Sequence, residues 1–217
     1  VVKITGINIP ATGYYYLRWS SADIAGSGSR DEFAIDDINI IANPTTTLTN
    51  VGGDILDAVI AGDASFTSNV TGLTSLLVTT TGNLTTTDKT IAFNTSASAT
   101  INGVLNTANL DGFSGSATTT IVNTNSPTIT LGASSTIVYN GSGAQTLSSR
   151  TDYKNLTINN AAGLTATGNS TINGSLTLTN GTLALGANTL TFAGTAATSS
   201  LGLIDASTGT LNFTNSS

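Results

Sequence analysis

From about Ile129 onward, apolar and polar residues alternate in short bursts: Leu156-Thr-Ile158, Ser175-Leu-Thr-Leu178, Thr182-Leu-Ala-Leu185 and Thr189-Leu-Thr-Phe192. A period of two is the signature of a strand, with Leu and Ile on one face and Thr mostly on the other. Between bursts stand Asn-Gly, Gly-Ala-Asn or Asn-Asn-Ala-Ala-Gly, residues that accept the left-handed conformations of tight turns. No stretch carries a helical period. Self-similarity points to a repeat, because Ala99-Thr-Ile-Asn-Gly103 returns as Ser170-Thr-Ile-Asn-Gly174, each ahead of a candidate strand.

The N-terminal part reads differently. Ile4-Thr-Gly-Ile-Asn-Ile9, Tyr14-Tyr-Tyr-Leu-Arg-Trp19 and Phe33-Ala-Ile-Asp-Asp-Ile-Asn-Ile40 are candidate strands rich in aromatic and β-branched residues. Three strands bury too little apolar area to stand alone, so they are expected to close a β-sandwich or to dock on the C-terminal repeats. The expected division is 1–43 as the end of a β-sandwich, 44–63 as a connector or first capping coil, and 64–217 as repeats.

Composition sharpens the picture. Only 8% of the 217 residues are charged, against roughly 25% in ordinary soluble proteins, and about two in five are Thr, Ser or Asn. Eight of the twelve acids lie between Asp23 and Asp63, whereas 112–149 and 155–204 hold no charge at all. His and Cys are absent, which excludes a Ser-His-Asp triad, a thiol nucleophile, an ordinary zinc site and a disulfide framework. Six basic residues against twelve acids argue against a nucleic-acid partner. No window approaches the roughly 18 apolar residues of a membrane-spanning helix, so no transmembrane segment is expected. A chain that starts at Val1 without Met suggests a processed product or an excerpt from a longer one.

Two all-β architectures satisfy short strands with frequent turns: a right-handed parallel β-solenoid, and tandem antiparallel β-sandwiches. The solenoid explains the composition better. Coils stacked about 4.8 Å apart place like on like; Leu on Leu and Thr on Thr cooperate, whereas a column of like charges repels. Three short strands and their turns need roughly 20 to 24 residues per coil, giving about seven coils.

Ser135-Thr-Ile-Val-Tyr-Asn-Gly-Ser-Gly-Ala-Gln-Thr-Leu147, Tyr153-Lys-Asn-Leu-Thr-Ile158 and the run from Asn173 to Leu190 resemble the strand repeats of very large secreted surface proteins of Bacteroidota, including gliding-motility and biofilm adhesins exported by the type IX secretion system. Tyr16-Leu-Arg-Trp19 and the run from Gly26 to Ile38 resemble the closing strands of a jelly-roll domain of the same exported proteins. The resemblance implies a non-enzymatic segment of an extracellular, cell-surface adhesin or filament. Its partners would be neighbouring domains or copies of the same protein and the outer-membrane secretion machinery, and no catalytic residues come with it.

Candidate chemistry is sparse. Asp31, Asp36 and Asp37, with Glu32, are the densest oxygen donors and the candidate ligands of a structural Ca2+, although successive strand residues send Asp36 and Asp37 to opposite faces. No cofactor is otherwise required. Asp54, Asp57 and Asp63 form a second candidate set. Arg150, Asp152 and Lys154 alternate, as a polysaccharide lyase would require of a base beside a carboxylate, but a lyase needs more acids than Asp88, Asp111 and Asp205 add; an ion pair is the simpler reading. Tyr14, Tyr15, Tyr16 and Trp19 alternate between faces and read as core, and Gly26-Ser-Gly-Ser29 as a loop. The Asn-X-Ser/Thr triplets at Asn69, Asn83, Asn155, Asn169 and Asn180 follow from composition. Thr128-Ile-Thr130, Thr165-Ala-Thr167, Thr177-Leu-Thr179 and Thr189-Leu-Thr191 raise an alternative, an ice- or carbohydrate-binding face, if they stack.

Overall fold

The computed structural model describes residues 39–42, 46–48 and 57–214. Of the stretch 1–43, expected as the end of a β-sandwich, residues 1–38 and 43 lie outside the described residues, whereas 39–42 form a strand of the parallel ladder. Every described element is a strand, and every pairing between strands is parallel. Tandem antiparallel sandwiches are thereby excluded for these residues, which wind as a parallel β-solenoid of about seven turns.

Each coil contributes to three sides. On the first, β1 (Asn39–Ala42), β3 (Asp57–Ile60), β5 (Val70–Val78), β7 (Ile91–Ile101) and β9 (Thr128–Leu131) pair in that order. The second carries β2 (Thr46–Leu48), β4 (Asp63–Phe66), β6 (Asn83–Thr85), β8 (Val104–Thr107), β10 (Thr136–Tyr139) and β12 (Asn155–Asn159). It continues into β15 (Ser175–Ala184) and β17 (Ala196–Asp205), whose second halves turn onto the third side beside β11 (Gln145–Leu147) and β13 (Leu164–Ala166). β14 (Ser170–Ile172) and β16 (Thr189–Phe192), which run into β15 and β17 as β9 runs into β10, take up the first side again, and β18 (Thr210–Phe213) pairs onto β16.

Alternation becomes a ladder once register is fixed. On side two, Ala64, Leu84, Leu105, Ile137, Leu156 and Leu176 stack inward and are all buried, while their neighbours Ser65, Thr85, Asn106, Val138, Thr157 and Thr177 stack outward. Each inward Leu or Ile withdraws its surface from water against the coils above and below, worth about 1.5–3 kcal/mol apiece, so one narrow core runs from Ala58 to Phe192.

The corners explain the Asn-Gly spacing. The two Thr-Ile-Asn-Gly motifs end at the same corner, between sides one and two. A β-carbon on Gly103 would lie 2.2 Å from the carbonyl oxygens of both Gly82 and Thr79 in the coil beneath, and one on Gly174 would lie 2.7 Å from that of Lys154. Between sides two and three, expected as a turn, Asn180-Gly181 is instead a bulge inside β15, where the register slips past Ile158 and Gly181 takes φ +83°.

Coil length runs at or just below expectation apart from one coil, several coils taking only 18 or 19 residues. Side-chain hydrogen bonds between successive coils join residues 18, 20, 21 and 23 apart. Yet Val104 pairs with Thr136, thirty-two residues on, because the connection after β8 folds on itself: Phe113 and Ile121 are buried in it, Ile121 N donates to Phe113 O at 2.8 Å, and Ile121 bridges to Ile91. The ladder also begins earlier than the composition boundary suggested. β1 lies inside the stretch 1–43, and the described parts of 44–63, expected as connector or first capping coil, carry β2 and β3 of the ladder.

Candidate functional site

Asp31, Asp36 and Asp37, the candidate calcium ligands, lie outside the described residues, as do Glu32, Asp54, the tyrosine run, Trp19 and Gly26-Ser-Gly-Ser29. Of the second acidic set, Asp57 and Asp63 stand on different sides, and each binds the coil above: Ser75 Oγ donates to Asp57 Oδ1 at 2.5 Å and Asn83 Nδ2 to Asp63 Oδ1 at 2.9 Å. Among the described residues no three His, Cys, Asp or Glu side chains gather as a metal site would require.

Arg150 and Asp152 do meet. Nε and one terminal nitrogen of Arg150 reach the two carboxylate oxygens at 2.8 and 2.6 Å, a bidentate fork. The guanidinium is more enclosed than a surface pair, its side chain only 15% exposed against 44% for Asp152. It also donates to Ser114 Oγ and to the carbonyl of Ile129 at 3.4 Å, and lies 5.6 Å from the centre of the Phe113 ring. Directly after β9 the side-one ladder has no strand, and this guanidinium supplies a donor that strand would have given to Ile129. Beneath it, Tyr139 and Tyr153 hydroxyls lie 3.1 Å apart in full burial; Ser148 N donates to Tyr139 and Tyr153 donates to Ser148 O at 2.9 Å. Burial, with Tyr139 alongside, pushes the Tyr153 phenol well above its ordinary value. The cluster therefore closes a break in the ladder, with only the Asp152 carboxylate half-exposed.

The Thr-X-Thr units do not form one array. Thr128/Thr130 and Thr189/Thr191 lie on side one, Thr177/Thr179 on side two, and Thr165 on side three. One row does align on consecutive coils, Thr157, Thr177 and Thr198. The sequon asparagines are mostly ties between coils. Asn155 donates to Ser135 O at 3.0 Å below and accepts from Ser175 N at 2.9 Å above, while Asn69 and Asn169 accept from Thr90 N and Thr189 N.

Two features went unread in the sequence. Gln145 and Asn160 are buried amides joined at 2.9 Å; Gln145 also bonds Gly141 N and the carbonyls of Thr107 and Asn109, and Asn160 that of Gly143. Asn160 stands in an Asn-Asn-Ala-Ala-Gly turn that reads as solvent-exposed, so no local signal marks it. The other is an open groove of about 470 Å³ at the corner leading into β5 and β7, with Asn69, Asp88 and Lys89 on one wall and Leu110, Asp111 and Thr118 of the long connection on the other. Lys89 Nζ lies 2.8 Å from Asp88 Oδ1, and that hydrogen bond lowers the Asp88 carboxyl below its ordinary value. The Asp111 carboxylate accepts nothing from a described residue; its backbone N–H goes to Asn109 Oδ1 at 2.9 Å.

Fold and geometry together define a parallel β-solenoid whose polar side chains chiefly tie one coil to the next. No family model, no curated protein and no solved structure matches the chain.

Proposed function

We propose that this chain is a non-enzymatic structural segment of an extracellular adhesin or surface filament, a stiff stalk that holds attachment domains away from a cell. The observation that carries the reading is the passage of parallel pairing along side two, from β2 to β17, over a shared apolar core. Pulling on such a rod loads many backbone hydrogen bonds and buried Leu contacts at once, whereas a Gly/Ser linker of equal length extends at little cost. The neutral outward rows and the adhesin-like repeats support the same reading, as does the expectation that neighbouring domains or further copies adjoin it. Optical-trap pulling between handles at residues 57 and 214 tests it. The expected trace stays short until coils peel off in increments of about twenty residues, and smooth entropic extension from low force would refute a stalk.

The row Thr157, Thr177 and Thr198 supports a second reading, ice or carbohydrate binding on side two. Thermal hysteresis that disappears in Thr177→Lys would favour it over the stalk alone.

A further inference from the structure

The groove beside the long connection is where the solenoid departs from its own rule. Between Asp57 and Thr214 there are nine charged residues, and three of them, Asp88, Lys89 and Asp111, meet in this one groove. The far wall is built by the segment that lengthens one coil to thirty-two residues, and it puts Leu110 55% into solvent. Insertions in a repeat fold cluster where ligands bind, since a rigid ladder can present a loop without deforming.

We infer that this groove binds a neutral, hydroxyl-rich oligosaccharide segment. Its volume lies within the roughly 300–1,000 Å³ of ligand pockets, and its open shape lets a polymer lie across it. Donors and acceptors alternate as sugar hydroxyls need. The Asp111 carboxylate can take O–H groups on two oxygens, while Asn69, whose oxygen already accepts from Thr90 N, keeps an NH2 to donate, and Lys89 lines the same groove. Leu110 supplies an apolar patch for the C–H face of a ring. Two carboxylates against one ammonium leave the groove negative, which repels uronates and phosphates and so selects uncharged sugars. This site is separate from the stalk reading and stands or falls independently of it.

A glycan array of neutral glucans, mannans and galactans beside oligogalacturonate, probed with the whole chain, tests the inference. At least one neutral series should be retained, at least tenfold more weakly after Asp111→Ala and unchanged after Asp205→Ala, which removes an exposed carboxylate outside the groove. Both variants should melt with the parent chain, since both side chains are exposed. Failure to retain any neutral glycan, equal retention of oligogalacturonate, or retention that survives Asp111→Ala would overturn the assignment.

Discussion

At the scale of single residues, stability in this molecule turns on what fits between coils stacked at the usual strand spacing of about 4.8 Å. Gly103 has no room for a methyl group, because the carbonyl oxygens it would meet are backbone and cannot swing away. Gly103→Ala should therefore cost about 2–3 kcal/mol in denaturant titrations, with Gly143→Ala, which meets only the end of the Leu110 side chain, costing less than half as much. Tyr153 sets a limit of another kind. Its phenol holds its proton in the fold above the ordinary value of 10.0, so the native state binds a proton that the unfolded chain releases. That contribution is whole below pH 10 and is lost as pH rises through the folded value. The melting temperature should fall steeply above pH 10, and Tyr153→Phe should flatten the fall while costing about 1–2 kcal/mol at neutral pH, since Ser148 O loses its shorter donor and keeps only Ser170 Oγ at 3.5 Å.

At the scale of elements, the break after β9 shows how a side chain can stand in for a strand. Arg150 reaches Ile129 O, Ser114 Oγ and both Asp152 oxygens at once because its donors are spread over a rigid plane. Lys carries its three donors on one atom, so Arg150→Lys should lower stability by about 1–2 kcal/mol in thermal melts, the half-exposed Asp152 keeping the loss modest. Lys154→Ala should stay within about 0.5 kcal/mol. Strands such as β12, β15 and β16 were legible in the sequence because strict alternation over three or four residues has one cheap solution, Leu inward and Thr outward. The merging of two bursts into β15 was not, since Asn180-Gly181 serves a turn and a bulge equally well. Nor was the fold of the long connection, whose burial of Phe113 and Ile121 depends on Ile91 and the Ser148 region, far away in sequence. The groove escaped for the same reason: Asp88 and Asp111 sit in separate turns, and only the winding brings them to one corner.

At the scale of the whole solenoid, each coil sees little beyond the coil below and the coil above, so stability is close to a sum of coil terms and interfaces. Removing one coil in exact register should then shorten the rod and leave it folded. Thr136 pairs with Asn155, and Ser175 pairs two coils along in the same outward row, so deleting 155–174 brings Ser175 to the place of Asn155, Leu176 under Ile137 and Thr177 beside Val138. On side one, Tyr153 would meet Phe192 where it now meets Ile172, again an inward apolar position. Deleting 155–164 instead takes out half a coil, carries side-two residues onto side three and sets inward Leu against turn positions. The full-coil deletion should keep the parent's strand circular dichroism and unfold cooperatively with a slightly lower midpoint, while the half-coil deletion should lose both. Equal damage from the two would mean that the coils are not interchangeable units and that the Tyr139–Tyr153 cluster, not the repeat, holds the described coils together.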